Sequence, residues 1–315
     1  MPTGVYNLRV NPSQRKVEIV EVGPRDGLQN EPGVLALSAK REFIERVVGC
    51  GIRRIEVASF VSPKRVPQMA DADELVKSLP RRDGVRYVGL VLNRRGFERA
   101  LAAGCDEVGM VVLATDTFNQ RNQGATTAES VAAWLEIARA AKAAGIRAQV
   151  TLSAAFGCPF EGEVPPEKVV AIARELAAGE PVEIAIADTI GAGVPLQVTD
   201  LLHRLRVALP AMPLRCHFHN TRNTGIANAY AAVEAGVDAL DASIGGIGGC
   251  PFAPAATGNI PTEDLIYMLN RMDIETGVDL GRTMATARWL EEQFGRKVPG
   301  LLIKAGNFPA SKETM

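Results

Sequence analysis

The sequence predicts an α/β fold closed into a (β/α)8 barrel, and three observations carry that prediction. Eight short runs rich in β-branched and aliphatic residues alternate with amphipathic helical stretches. One junction recurs: Cys50-Gly-Ile-Arg-Arg-Ile-Glu-Val, Ala103-Gly-Cys-Asp-Glu-Val, Ala144-Gly-Ile-Arg-Ala-Gln-Val and Ala235-Gly-Val-Asp-Ala-Leu each set a glycine at a helix end and a buried strand just after it. Glycine suits that place because the left-handed conformation that closes a helix penalises any Cβ. Finally, no Gly-x-Gly-x-x-Gly follows the first strand, which argues against a doubly wound open sheet.

Taken in order, Lys16 to Val22 reads as the first strand, stopped by Gly23-Pro24. A helix follows from Ser38, read as its N-cap, to Val48. Further strands are expected at Arg54 to Ala58, Val85 to Val91, Glu107 to Leu113, Arg147 to Leu152, Glu183 to Ala187, Pro213 to His219 and Ala239 to Ile244. Helical patterns lie between them at Ala128 to Ala143, Pro166 to Ala177, Val198 to Leu209 and Arg222 to Ala235. Beyond Leu269 an extra segment contains a helix from Gly281 to Phe294. With no low-complexity linker, the expectation is one TIM-barrel domain over residues 1–315, with the barrel at about 16–271 and a C-terminal helical extension at about 272–315.

Bulk properties narrow the class of protein. A formal charge of −1 over 315 residues gives no argument for nucleic acid or an anionic membrane surface as partner. Five scattered cysteines without a Cys-x-x-Cys pair exclude a disulfide framework or zinc ribbon and suit a reducing compartment. Met1-Pro-Thr-Gly-Val-Tyr lacks the basic and apolar regions of a secretory signal, and no apolar run is long enough to span a bilayer. A cytoplasmic location is expected.

Candidate chemistry collects where strands end, because barrel sites form at the carboxyl ends of the strands. Side chains alternate along a strand, so His217 and His219 of Pro213-Leu-Arg-Cys-His-Phe-His-Asn220 share one face. They are two of only three histidines; His203 falls in an amphipathic helix and reads as surface. Asp26 after strand one and Asn259 beyond strand eight add two oxygen donors. The set Asp26, His217, His219 and Asn259 has mixed oxygen and nitrogen ligation without thiolate, which favours Mg²⁺ or Mn²⁺ and leaves zinc, iron or cobalt open. Loop eight, Gly245-Gly-Ile-Gly-Gly-Cys-Pro-Phe-Ala-Pro254, carries four glycines in five residues and reads as a mobile cover ending at Cys250. A thiol delivered by a closing lid could act as acid or base.

Several motifs together resemble the hydroxymethylglutaryl-CoA lyase family: Gly23-Pro-Arg-Asp-Gly-Leu-Gln-Asn-Glu31, Ile55-Glu-Val-Ala-Ser-Phe-Val-Ser-Pro-Lys64, Gly157-Cys-Pro-Phe-Glu-Gly162, Asp188-Thr-Ile-Gly191, and Gly248-Gly-Cys-Pro-Phe-Ala253 with Gly258-Asn259. The resemblance runs over about residues 16 to 310. It implies retro-aldol (retro-Claisen) cleavage of a 3-hydroxy-3-methylglutaryl thioester to acetyl-CoA and acetoacetate. It further implies that the metal activates the hydroxyl, that Arg25 stabilises the enolate, that His217 doubles as a proton acceptor, and that Cys250 protonates the enolate. Glu56 and Asp188 are expected to orient Arg25 or a metal-bound water. Gln29, Ser59, Thr151 and Arg222 are expected at the acyl group, and Lys64, Arg65 and Arg94 at the coenzyme A phosphates. A homodimer is implied as well. The competing expectations are a Claisen-type synthase acting on a 2-oxo acid and a metal-binding pseudoenzyme.

The chain departs from the family pattern at the exit of strand seven. Where relatives read His-x-His-Asp-Thr-Tyr-Gly, this sequence reads His217-Phe-His-Asn-Thr-Arg-Asn223. Thr151 also stands for a usual tyrosine and Ala185 for a usual serine. These changes leave the ligands intact and put the acyl group in doubt, with Arg222 expected to meet an added carboxylate on a larger or differently charged substituent.

Overall fold

A computed structural model describes residues 16–250 and 253–309. Eight parallel strands close on themselves in sequence order: β1 (Glu18–Glu21), β2 (Arg54–Ser59), β3 (Arg86–Val91), β4 (Glu107–Leu113), β5 (Arg147–Ser153), β6 (Ile184–Asp188), β7 (Leu214–Phe218) and β8 (Ala239–Ala242). Closure is made by β8 against β1, with Ala239 opposite Glu18 and Ala242 opposite Glu21. The expected barrel is therefore present, each strand within one to two residues of its predicted bounds.

Helices wrap the strands: α1 (Leu37–Gly49), α2 (Ala72–Ser78), α3 (Arg94–Ala103), α4 (Asp116–Gln123), α5 (Thr127–Ala144), α6 (Pro166–Ala177), α7 (Pro195–Ala208) and α8 (Gly225–Glu234). All four junction glycines have positive φ: Gly51 at 96°, Gly104 at 90°, Gly145 at 68° and Gly236 at 80°. Gly51 is doubly constrained, since a Cβ there would stand 2.4 Å from the Gly277 carbonyl oxygen. The strands are buried on both faces, as a helix-wrapped parallel sheet requires; every residue of β2, β6 and β8 is buried.

Three local expectations change. Ser38 is not the cap of α1; the chain arrives extended at Ala36 (ψ 149°), which takes that position, and Ser38 lies inside the first turn. Strand β8 ends at Ala242 rather than Ile244, because Ile244–Gly246 tightens into a 3₁₀ turn with Gly245 at φ 74°. Strand β7 ends at Phe218, and His219 continues it only as a single antiparallel bridge to Asn259.

The helix after β8 is α9 (Thr262–Arg271), and the C-terminal extension supplies α10 (Leu280–Phe294) and α11 (Leu302–Ala305). α10 buries Trp289 and Leu290, and the Trp289 ring lies 6.1 Å from that of Phe43 on α1, covering the barrel beside the β8–β1 seam. A two-stranded hairpin, β9 (Gly249–Cys250) with β10 (Ala253–Thr257), follows the 3₁₀ turn after β8. No helix among the described residues is long and apolar enough to cross a membrane.

Candidate active site

The first loop is built by a π-turn over Gly23–Gly27, in which the Asp26 and Gly27 amides donate to the Val22 carbonyl at 2.7 and 3.2 Å. Such one-turn π segments recur at functional sites because they re-aim adjacent side chains. Here Arg25 and Asp26 are neighbours in sequence and both reach the mouth of the barrel. Gly27 and Gly248 let the exit loops of β1 and β8 touch. A Cβ on Gly27 would lie 2.6 Å from Ile247 Cγ1, and one on Gly248 (φ 100°) 2.8 Å from the Asn259 amide nitrogen.

Arg25 is held from two sides. Its Nη1 donates to Asp26 Oδ1 at 2.6 Å and its Nη2 to Glu56 Oε2 at 2.7 Å. Burial pushes the guanidinium pKa down, but Glu56 and Asp26 more than offset it, so the charge is kept. For Asp26, burial raises the pKa while Arg25, with His219 and His217, outweighs it and holds the carboxyl well below the usual range. Two carboxylates thus share one guanidinium, leaving an excess of negative charge at this point.

The paired imidazoles face that excess. Their ring centres are 5.1 Å apart, and His219 Nε2 lies 3.9 Å from Asp26 Oδ2. One ligand atom from each of Asp26, His217 and His219 falls within 4.8 Å of the others. His217 Nδ1 is 3.1 Å from Asp241 Oδ2. A second-nitrogen contact to a carboxylate is what metal-ligating histidines generally show. The donor set and charge excess therefore fit a divalent cation, and oxygen with imidazole ligands is compatible with Mg²⁺ or Mn²⁺.

Asn259 joins through its amide nitrogen, which donates to Asp26 Oδ2 at 2.9 Å and to the Ile247 carbonyl at 3.1 Å. In this geometry it orients the carboxylate and fastens the β8 exit loop, rather than turning its oxygen toward Asp26.

These groups border a cavity of about 340 Å³ at the carboxyl ends of the strands. Gln29, Ser59, Thr151 and Arg65 line it, together with Arg25, Asp26, Glu56, His217 and His219. Arg25 Nε, Gln29 Oε1 and Ser59 Oγ are buried with no hydrogen-bond partner among the described residues. Buried polar groups are costly to leave unpaired, so such atoms at a cavity edge point to a polar ligand.

Other expected site residues lie elsewhere. Asp188 does not touch Arg25; its two oxygens accept from the amides of Ala192 and Gly193 at 2.9 Å each, shaping the loop after β6. Burial raises its pKa, and those two amides lower it only in part. Arg222 donates to the Ile190 and Gly191 carbonyls at 2.7 and 3.2 Å, is exposed, and is absent from the cavity lining. Arg94 is paired along α3 with Glu98 at 2.9 Å, and Lys64 is exposed outside that lining. With His217 Nδ1 on Asp241, one ring nitrogen remains for either of the two tasks expected of this residue, ligating a metal or accepting a proton. The side chain of Cys250 lies outside the described residues.

Sequence reasoning missed Asp241 and Arg215. Asp241 sits in β8 between His217 and Arg215, whose Nη1 lies 2.6 Å from Asp241 Oδ1. An acid inside the otherwise apolar run Ala239-Leu-Asp-Ala242 was the available signal.

Comparison with known proteins agrees with this geometry. The HMGL-like family model matches residues 16–290. The chain is 46% identical to the (R)-citramalyl-CoA lyase of Chloroflexus aurantiacus, over 92% of this chain and 95% of that protein. It is 43% identical to the hydroxymethylglutaryl-CoA lyase of Pseudomonas mevalonii, over 92% and 97%. A crystal structure of the Bacillus subtilis HMG-CoA lyase superposes with a TM-score of 0.91 at 40% identity, covering 93% of this chain and 99% of that one. A closed barrel with an Arg-Asp turn facing His-x-His, matched along nearly its whole length to lyases of this kind, belongs to the hydroxymethylglutaryl-CoA lyase family and is an acyl-CoA lyase.

Proposed function

We propose that the protein cleaves a 3-hydroxy-3-methyl acyl-CoA thioester bearing a terminal carboxylate, releasing acetyl-CoA and an oxo acid in a reaction that requires a divalent cation. The observation that carries this reading is the convergence of Asp26, His217 and His219 within 4.8 Å, beside an Arg25 whose Nε has no protein partner. A cation bound there would supply Lewis acidity toward the tertiary hydroxyl.

The chain's own residues account for the rest. When the hydroxyl proton passes to solvent water, the electron pair it leaves forms the carbonyl of the oxo acid, the bond between the α-carbon and the tertiary carbon breaks, and the pair of that bond becomes the enolate of acetyl-CoA. Arg25, fixed by Glu56 and Asp26, offers its remaining N–H groups to the thioester oxygen where that charge develops. Ser59 Oγ and Gln29 Oε1 bring unspent hydrogen-bonding capacity to the same cavity. Cys250, at the end of the glycine-rich loop, is assigned the proton that returns to the α-carbon. Arg65 lies where this cavity meets a second one of about 340 Å³ that also contains Val61 and Gln123, and is assigned to the phosphates of coenzyme A.

Two carbon skeletons fit, differing by one methylene: hydroxymethylglutaryl-CoA, which gives acetoacetate, and citramalyl-CoA, which gives pyruvate. The 46% identity to a citramalyl-CoA lyase favours the shorter one as the second reading. Turnover of both thioesters should be followed with acetyl-CoA, acetoacetate and pyruvate quantified separately, before and after chelation and after Mg²⁺ or Mn²⁺ is restored. Cation-dependent acetyl-CoA with one oxo acid supports the proposal, and the oxo acid names the substrate. Acetyl-CoA consumption with a 2-oxo acid would indicate a synthase. Silence with every thioester, despite bound metal, would indicate a pseudoenzyme.

A further inference from the structure

We infer that Asp241 is a positioning residue that fixes the tautomer of His217, so that the imidazole carries its proton on Nδ1 and presents the Nε2 lone pair to the cation site. The inference rests on reading the cavity as a cation-dependent site, and it assigns a task to a carboxylate that does not itself meet the substrate.

The argument starts from hydrogen-bonding capacity. An ionised carboxylate only accepts, whereas a neutral imidazole donates at one nitrogen and accepts at the other. Asp241 Oδ2 stands 3.1 Å from His217 Nδ1, so a hydrogen bond there requires the proton to lie on Nδ1. Nε2 is then left with its lone pair, the form a metal ligand must have. His217 has no freedom to choose otherwise while Asp241 stays in place.

Asp241 itself is over-determined. It is 5% exposed, and its other oxygen, Oδ1, accepts from Arg215 Nη1 at 2.6 Å. Arg215 is clamped in turn by Gln149 Oε1 at 2.7 Å and by Glu183, whose Oε1 lies 2.7 Å from its Nε. Rotation of the Asp241 carboxylate would break both the Arg215 and His217 contacts at once. The imidazole is therefore aimed by a chain of charges that reaches down through the barrel.

The geometry makes a specific demand on one substitution. In Asp241→Asn, Arg215 can only donate, so the amide oxygen stays with it and the amide NH₂ turns to His217. Nδ1 must then accept, the proton moves to Nε2, and the lone pair at the cation site is lost. The change removes no volume.

The test is long-range ¹H–¹⁵N spectroscopy of histidine-labelled full-length protein at about pH 8.5, above the ordinary imidazole range near 6.5. Only three histidines are present, and a His217→Gln spectrum assigns the resonance. In the metal-free wild type, His217 should show a protonated Nδ1 and an unprotonated Nε2. A proton on Nε2, alone or together with one on Nδ1, overturns the inference without any variant having to fold. In Asp241→Asn the pattern should reverse, and Mn²⁺ affinity measured by calorimetry should fall about 10- to 100-fold. An unchanged tautomer or unchanged Mn²⁺ affinity in the folded variant also overturns it. Both readouts are independent of thioester turnover, so failure of the proposed activity would not be mistaken for failure of this inference.

Discussion

The barrel buries two sets of charges, one at each end, and only one of them makes a site. At the amino ends of the strands, Arg54 is ion-paired with Glu107 and lies 2.7 Å from Glu183, while Arg147 reaches Glu107 at 3.1 Å. Arg54 and Glu107 are 1% and 0% exposed. At the carboxyl ends, Arg25 is shared by Asp26 and Glu56, and Arg25 Nε, Ser59 Oγ and Gln29 Oε1 are left over beside a cavity. Burial of charge is common to both ends. What separates them is the cavity: Arg54, Glu107 and Glu183 pack against one another, whereas Arg25, Asp26 and Glu56 line an open space. The first kind is a strut and the second a binding site, and substitutions at the two ends should fail in different ways.

The largest effect is expected at the mouth. Asp26→Asn removes one of three converging ligands while leaving the Arg25–Glu56 pair intact. Losing several kcal/mol of cation-derived stabilisation corresponds to about three decades in kcat, at about 1.4 kcal/mol per decade. The melting temperature should fall, because the fold holds the Asp26 carboxyl well below its usual range and the substitution gives up that stabilisation, but the loss of kcat should far exceed the loss of stability. Full turnover by this variant would show that the mouth is a strut too.

At the opposite end, Arg54→Met should reverse the pattern. It leaves Glu107 and Glu183 buried without their shared cation, and stripping one partner from a buried pair costs about 3–5 kcal/mol. Denaturant midpoints should drop accordingly, while kcat per folded molecule stays within about twofold of wild type, since no atom of Arg54 lines the cavity. A kcat loss out of proportion to the stability loss would mean that the two ends communicate, and Arg215, which touches both Glu183 and Asp241, is where they would do so.

The difference between the ends also explains what the sequence disclosed. Strand count, the four αβ glycines and the shared face of His217 and His219 follow from local rules with periods of two and 3.6, so they are visible in one dimension. The Arg25-Asp26 turn was legible because both residues stand at a strand exit. Asp241 was not, since only the register that sets Cys216 opposite Leu240 carries it alongside His217. The placement of Asp188 and Arg222 was not legible for a related reason: sequence places a side chain at a strand exit without saying whether it turns to the cavity or back to its own loop. Asp188 turned to the amides of Ala192 and Gly193, and Arg222 to the carbonyls of Ile190 and Gly191.

The smallest effect sharpens the comparison with a case between the two. Glu21 and Glu263 brace the start of the β8 exit loop: Glu21 accepts from the Ile244 amide at 2.8 Å and from Thr262 Oγ1 at 2.7 Å, and Glu263 from the Gly245 amide at 2.9 Å. Among the described residues neither is paired with a cation, and burial raises each from 4.5 to about 8, against the opposing pull of those donors. Each stays neutral in the folded protein up to about pH 8, whereas the unfolded chain ionises it above 4.5. Stability from these groups is therefore complete below the unfolded value and is lost as pH rises through the folded one, at about 1.4 kcal/mol per pH unit for each group. Glu263→Gln keeps an acceptor for the Gly245 amide and cannot ionise. Its urea midpoint should decline less steeply than the wild type's between about pH 4.5 and 8 and should be the higher of the two at pH 8. Parallel profiles would mean that Glu263 is already ionised in the fold, which would place it with the unspent charges of the mouth rather than with the neutral braces beside it.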